Sequence, residues 1–321
     1  MLGRLAGAAL AAGLVLAAPA AHAALSPAQL LARYQPVIVL HPDEPFRPVP
    51  VTGFLTDSAL ETRAADGTWT PVDPPPATLP FESASSSRLN VRQCTADAGV
   101  EAQGCYTALE AAHAARSVVY ATVRETKTRI ALEYWYFYSY DLWSGRYPPS
   151  DDVWQAHEGD WEAIAVVLTK AQEPLLAGYS RHCSGARRAW SKVPKWRGTH
   201  PLAYAALGSH GNLFAAGSTP IDLRCYPPAA AALLKSWLTS VVDMTGSGTR
   251  LGPAGSGMQA AIVRVTDASP SWMRFPGAWG ETNLFHGPGL GTVTAGPGPE
   301  GPAFHALWRD PAGTVARWPA G

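Results

Sequence analysis

Residues 157–168 read His-Glu-Gly-Asp-Trp-Glu-Ala-Ile-Ala-Val-Val-Leu and place four ionisable side chains directly before an uninterrupted apolar run. The aliphatic and β-branched residues of 163–168 are typical of a buried strand. An unpaired carboxylate is costly to bury, so acids this close to a core strand need a cation, a proton or hydrogen-bond donors to offset them. A bound metal ion is the leading candidate.

Strand parity says which of these side chains would share a face. In a strand over 160–168, Asp160 and Glu162 point to one side and Trp161 to the other. His157 has the wrong parity, but Gly159 permits a bulge or a loop-to-strand transition that turns the imidazole toward the acids. One nitrogen and two oxygens suit a divalent cation, with Mg²⁺ or Ca²⁺ favoured over zinc. The alternative is a strand end with solvated acids and a hydrogen-bonded histidine.

The rest of the chain reads as short strands separated by turn residues, among 30 glycines and 29 prolines. Further strands are predicted over 36–41, 117–125 and 129–140. Helical patterns are limited to 26–34, with Ser26 as N-cap, and to 229–244. We therefore predict a mainly β fold, a single large β-sandwich with peripheral helices over residues 24–321.

The predicted strand over 129–140 is rich in aromatic residues. By parity, Tyr134, Tyr136, Tyr138 and Tyr140 lie on one face of it. We interpret these rings as core packing rather than as an exposed recognition surface. The 12 tryptophans of the chain suit a core, a sugar-stacking platform or a membrane interface equally.

The first residues are typical of a secretory signal. Arg4 supplies a positive start, residues 5–18 are apolar, and Ala21-His22-Ala23 is a cleavage motif, so we predict a signal peptide over residues 1–23. No later segment has the roughly 18 apolar residues that a membrane span needs. We expect a secreted, extracellular protein that acts as a monomer and has no transmembrane span.

Cysteine number and charge narrow the class of protein further. All four cysteines follow the signal, and an even number in an oxidising compartment favours two disulfides. Of three possible pairings we prefer the one in which Cys94 pairs with Cys105 across a short loop, which leaves Cys183 with Cys225. The 25 basic and 25 acidic residues balance. This balance argues against a nucleic-acid partner, which would require a basic surface.

Seven segments carry a second kind of information: 33–37, 41–44, 133–138, 157–162, 201–210, 277–280 and 298–302. Taken in order, they resemble the vacuolar protein sorting-associated protein 62 family. The resemblance spans about residues 29–312 and implies more about fold than about activity.

The stretch 130–167 is also similar, more distantly, to the necrosis- and ethylene-inducing peptide-like toxins. Those toxins have a β-sandwich related to the actinoporin cytolysins and hold a cation at a H-x-x-D-W-E motif, with an Asp after the preceding aromatic strand. The resemblance implies His157, Asp160 and Glu162 as ligands, together with Asp141 if one residue is inserted before it.

This chain departs from the toxin pattern at Glu158 and Gly159, where the toxins have a second His and an Arg. The loop before His157 is longer and contains Asp151 and Asp152, either of which could replace Asp141 as a ligand. Residues 207–211 also look like the toxins' Ser-Ala-His-Gly segment.

Other polar residues have roles that the sequence leaves open. His210 within 207–211 either hydrogen-bonds a loop or supports a ligand or substrate. Glu158 is a candidate for the rim of the site or for a residue that supports its ligands. Residues 41–44 are predicted to form a turn, and the two acids of this turn could join the same rim.

Two functions fit these observations. The leading hypothesis is a secreted, cation-binding β-sandwich that recognises a lipid headgroup, a glycan or another cell-surface component and can act on membranes. The alternative is a metal-dependent secreted hydrolase, with Glu158 or Glu162 as general base and His210 as acid. A purely structural metal site is a third reading.

Overall fold

The computed structural model describes residues 23–72, 86–94, 96–113, 116–146 and 152–321. Residues 1–22 of the predicted signal peptide, and Asp151, lie outside the described residues. The helices are α1 (Pro27–Tyr34), α2 (Val51–Asp57), α3 (Ala102–Ala112), α4 (Pro228–Trp237), α5 (Ala306–Arg309) and α6 (Pro311–Arg317). The strands are β1 (Val37–Val39), β2 (Ala59–Arg63), β3 (Trp69–Pro71), β4 (Ser87–Asn90), β5 (Val118–Glu125), β6 (Arg129–Ser144), β7 (Trp154–Thr169), β8 (Pro174–Arg181), β9 (Ser184–Ala189), β10 (Lys195–Trp196), β11 (His200–Ala205), β12 (Asn212–Leu213), β13 (Gly217–Pro220), β14 (Val242–Thr245), β15 (Arg250–Gly252), β16 (Met258–Gln259), β17 (Ala261–Arg264), β18 (Thr282–Gly287) and β19 (Gly291–Pro297).

The long strands β6 and β7 form the centre of the larger sheet. They pair antiparallel from Arg129 opposite Thr169 to Ser144 opposite Trp154. The order of the described strands is β17-β5-β6-β7-β18-β19, and β8 joins the same edge of β7 as β18 and carries β9. Because β18 pairs with residues 154–156 and β8 with residues 164–168, the edge between them is left without a described partner strand.

A smaller sheet packs against the larger one. Its strand order is β10-β11-β1-β15-β16, with β12 paired to β11. Tyr179 on β8 stacks on Phe214 next to β12, with ring centroids 3.9 Å apart, and its hydroxyl donates to the carbonyl oxygen of Leu202 on β11 at 2.9 Å. The fold is therefore mainly β and sandwich-like, as predicted. Aromatic side chains fill much of the buried core, as we expected for β6.

The helix predictions had mixed outcomes. The helix α1 begins after Ser26, which forms a capping box with Gln29, as the sequence indicated. The predicted helix over 229–244 is too long: α4 ends at Trp237, Leu238 is already extended, and β14 begins at Val242 and pairs with β13. The helices α2, α3, α5 and α6 were not predicted. Among the described helices, none has both the length and the apolar character needed to cross a membrane.

Both predicted disulfides are confirmed. Cys94 is bonded to Cys105, and Cys183 is bonded to Cys225. The second bond ties the residue after His182 to the turn before α4, 42 positions further along the chain. Two disulfides agree with a protein made for an oxidising compartment.

Candidate metal centre

The backbone conformation of Gly159 is one of two features that assemble the polar cluster. The pairs on both sides of it keep one register, with Tyr138 opposite Asp160 and Asp141 opposite His157. Gly159 has φ of +57°, in the left-handed region that favours glycine. This turn places His157 on the same face as Asp160, which is the reorientation that the sequence suggested, although it occurs without a shift of register.

On the neighbouring strand β6, the side chains also switch from one face of the sheet to the other, at the position opposite Gly159. Tyr138 stacks on His210 with ring centroids 3.8 Å apart, whereas Tyr140 stacks on Tyr106, away from the cluster, at 4.3 Å. The expectation that Tyr140 shares a face with Tyr138 is therefore wrong, because simple alternation does not continue past Ser139. This change brings Asp141 to the face of the cluster.

Three of the four predicted ligands meet at this point. Asp141, His157 and Asp160 each present one ligand atom, and these atoms all lie within 4.8 Å of one another. Asp141 and Asp160 are buried, and His157 is half-buried. Two carboxylates and one imidazole held this closely in a buried site form a group that could hold a metal ion.

His157 is oriented to present a lone pair to this cluster. Its Nδ1 lies 2.8 Å from the carbonyl oxygen of Gly159, which can only accept, so Nδ1 carries the proton. With that proton on Nδ1, Nε2 is the nitrogen that can offer a lone pair to a metal ion, and it lies 3.7 Å from Oδ2 of Asp141. A histidine fixed by its other nitrogen in this way is the usual arrangement of a metal ligand.

A buried chain of polar groups supports the carboxylate of Asp160. Oδ2 of Asp160 lies 3.0 Å from Nδ1 of His210, and Nε2 of His210 lies 3.4 Å from Oε1 of Glu44, an ion-pair contact rather than a well-aligned hydrogen bond. Glu44 also accepts from the backbone N–H of Phe46 and of Gly208. His210 therefore supports a candidate ligand, which is one of the two roles left open by the sequence.

Electrostatics keep His210 charged in this position. Burial by itself lowers the pKa of the imidazole, but the carboxylates of Glu44 and Asp160 outweigh burial and raise it well above its usual value. His210 also has φ of +52°. Its backbone strain and its full burial identify it as a fixed part of the site rather than a mobile proton donor.

Glu162 lines the same cavity but does not belong to the three-residue cluster. Its Oε2 accepts a hydrogen bond from the hydroxyl of Ser180, which itself accepts from the backbone N–H of Ala163. Burial, helped by the charge of Asp160, raises the pKa of Glu162 to about 8. Burial likewise raises the pKa of Asp141 to about 6, although the nearby His157 opposes this rise.

The expectation that Glu158 lies at the rim is corrected by the structure. Glu158 is fully buried on the other side of the strand, because the left-handed Gly159 separates its direction from that of Asp160. Its oxygens accept from the Tyr106 hydroxyl at 2.7 Å and from the backbone N–H of Val91 and Glu281. It therefore ties strand β7 to the surrounding loops and does not reach the cavity.

Asp152 does not replace Asp141 as a ligand. Its side chain is 64% exposed and forms an ion pair with Nε of Arg146 at 3.2 Å. The position of Asp141 in the ladder, directly opposite His157, decides between the two acids in favour of Asp141. The other candidate, Asp151, lies outside the described residues.

The cluster lines a cavity of about 480 Å³, whose walls include residues of β7, β18 and β19 and the disulfide between Cys183 and Cys225. Polar residues of the cavity include Gln155, Glu162, His182, Asn283 and His305. Its apolar wall is built from Trp143, Tyr226, Leu233, Phe285, Leu290 and Val293. Leu290 and Val293 are also 40% and 36% exposed, which places them at the surface end of the cavity.

Two residues of this cavity region were not predicted from the sequence. Nε2 of His182 lies 2.8 Å from Oδ2 of Asp243, and the hydroxyl of Ser209 donates to the other oxygen of Asp243 at 2.8 Å. Asp243 is fully buried, whereas the His182 side chain is 16% exposed. Only the position of His182 beside a cysteine set it apart in the sequence, and that signal is too weak to have identified it.

Comparisons of the chain with protein-family models, with curated proteins and with solved structures gave no match. The resemblances to the vacuolar protein sorting-associated protein 62 family and to the toxins thus rest on the motifs alone.

Proposed function

We propose that this protein is a secreted, cation-dependent binding protein that takes a polar group of a lipid headgroup or a glycan into the cavity beside β7. The observation that carries the proposal is the convergence of Asp141, His157 and Asp160 within 4.8 Å at a cavity of about 480 Å³. A cation there would join carboxylates of the protein to oxygen atoms of the ligand.

The donor set fits a hard divalent cation such as Mg²⁺ or Ca²⁺. Such ions take six or more ligands, mostly oxygen, so three protein ligands leave several positions for water or for a bound molecule. The support of Asp160 by His210 and Glu44, and the fixed tautomer of His157, are the kind of surroundings that orient metal ligands. A simple solvated strand end would not need this buried support.

The walls of the cavity favour a ligand with both polar and apolar parts. Trp143, Tyr226 and Phe285 provide ring surfaces against which a sugar or an acyl chain can pack. Leu290 and Val293 add exposed apolar area at the surface end, where a molecule anchored in a membrane would enter. This combination supports binding at a cell surface better than it supports a purely structural metal site.

A metal-dependent hydrolase is the second candidate, and one observation favours it. His182, which is bound to the buried Asp243, lines the same cavity as the cluster, as a general acid or base would. The roles first considered for Glu158 and His210 do not fit, because neither residue lines the cavity. Glu162 and His182 are the candidates for proton transfer that remain.

Co-sedimentation with vesicles and with insoluble polysaccharides, in Ca²⁺ or Mg²⁺ and then in EDTA, tests the proposed function. We expect binding that requires the cation and that is lost in Asp160→Asn. The matched control is Asp152→Asn, which removes an exposed acid and should leave binding unchanged. Binding that persists in EDTA contradicts the proposal. Metal-dependent turnover of an ester, phosphoester or glycoside with saturation kinetics would replace it with the hydrolase.

A further inference from the structure

His182 lines the cavity that contains the metal cluster and has one ring nitrogen bound to a buried acid. Nε2 lies 2.8 Å from Oδ2 of Asp243, whose other oxygen accepts from the hydroxyl of Ser209. Among the described residues, Nδ1 of His182 has no hydrogen-bond partner. The ring therefore keeps one nitrogen that a bound molecule could contact.

The hairpin between β8 and β9 fixes the position of His182. The residue has φ of +50° and is the first of the two residues that join Arg181 to Ser184 in this hairpin, a position where positive φ is usual. Here the next residue, Cys183, is bonded to Cys225, and the ring is bound to a fully buried carboxylate.

We propose that His182 is an anion-binding residue, and that the molecule recognised by this cavity contains an oxyanion such as a phosphate group, held between the cation and Nδ1 of His182. This inference rests on the proposed function, since it assumes that the cluster of Asp141, His157 and Asp160 is loaded with a divalent cation.

Charge in the cavity supports an oxyanion over a neutral ligand. Burial lowers the pKa of His182, but Asp243, with a smaller contribution from Glu162, outweighs burial and raises it to about 9. A raised pKa favours the imidazolium at neutral pH, and in that form Nδ1–H is a charged donor. A charged donor opposite a divalent cation would offset the repulsion of an anion by the acids of the cavity.

Calorimetric titration with inorganic phosphate, and flotation with vesicles of phosphatidylcholine with or without phosphatidic acid, test the inference in saturating Ca²⁺ or Mg²⁺. We expect His182→Gln to weaken binding of the oxyanion about tenfold or more, since a hydrogen bond to a charged group is lost. Affinity for the metal alone should stay within about twofold of the wild type, as expected for a residue that is not a ligand. Binding of both probes indicates phosphate chemistry in general, and binding of the acidic vesicles alone indicates a lipid headgroup.

His113→Gln is the matched control, because Nε2 of His113 also lies 2.8 Å from an aspartate, Asp57, but outside this cavity. It should bind both probes like the wild type. If His182→Gln does not fold, the ring resonance of His182 in the wild type still reports the contact: phosphate should shift it and leave that of His113 unchanged.

The outcomes separate the two proposals. If the wild type does not bind the metal alone, the proposed function fails. If it binds the metal, and His182→Gln binds phosphate and acidic vesicles as well as the wild type does, or the wild type binds neither probe, the assignment of His182 is wrong while the metal site stands.

Discussion

Substitution of Gly159 by alanine tests how strand β7 builds the site. A Cβ at this position would lie 2.1 Å from the carbonyl oxygen of Trp279, and φ of +57° is a conformation that residues with a side chain rarely adopt. Backbone strain costs about 1–3 kcal/mol, and forcing packed atoms apart costs about 1–3 kcal/mol more. We therefore expect Gly159→Ala to lower the free energy of unfolding by about 2–6 kcal/mol, or the melting temperature by on the order of 10 °C.

Scanning calorimetry in EDTA measures this loss without a contribution from bound cations. Gly198→Ala is the matched control: Gly198 has φ of +79°, but no described atom lies within 4 Å of its Cβ position, so only the strain remains. The melting temperature of Gly159→Ala should fall clearly further than that of Gly198→Ala. Equal decreases in the two variants would refute the claim that the approach of Trp279 makes glycine necessary at position 159.

Three further predictions concern the surroundings of the site and the stability of the fold. Glu44→Gln should weaken cation binding about 10- to 100-fold in calorimetric titration, because Glu44 supports the ligand Asp160 through His210. An unchanged affinity would contradict this role of Glu44. Replacing Cys183 and Cys225 by serine should lower the free energy of unfolding by about 4 kcal/mol in the chain-entropy model, because this disulfide closes a loop of 42 residues. Removing the bond between Cys94 and Cys105, which closes a loop of 11 residues, should cost about 3 kcal/mol. If urea denaturation shows the larger loss for the shorter loop, the model is contradicted. Burial raises the pKa of Glu133 from 4.5 to about 8, so the folded state binds this proton more tightly, and the stabilisation is complete below pH 4.5 and lost as the pH rises through about 8. Unfolding free energies at pH 6 and pH 9 should show this fall, and a smaller fall in Glu133→Gln, whereas an equal fall in both proteins would exclude Glu133 as its source.

The local features of the site could be predicted because they depend on neighbouring residues. The apolar run after Glu162 predicts a buried strand, and the spacing of Asp160 and Glu162 predicts two acids on one side of it. The glycine between His157 and Asp160 permits the change of face that the structure contains. The disulfides followed in the same way from a preference for closing the shorter loop.

The remaining features depend on contacts that spacing cannot reveal. Which of the two neighbouring residues, His157 or Glu158, faces the cavity is decided by one backbone angle, which a glycine permits but does not dictate. His182 and Asp243 are 61 positions apart and form no motif, and they meet only through tertiary packing. Strand parity also failed at Tyr140, because the strand changes face before it.

Calorimetric titration of Mg²⁺ and of Ca²⁺ into the purified protein tests the central claim most directly. We predict that the wild type and Asp152→Asn each bind one equivalent of cation, and that Asp141→Asn and Asp160→Asn, with the fold unchanged by circular dichroism, lose most of this binding because each variant removes one of few ligands. The absence of binding to the wild type, or binding by Asp141→Asn and Asp160→Asn that equals that of the wild type, would contradict the account.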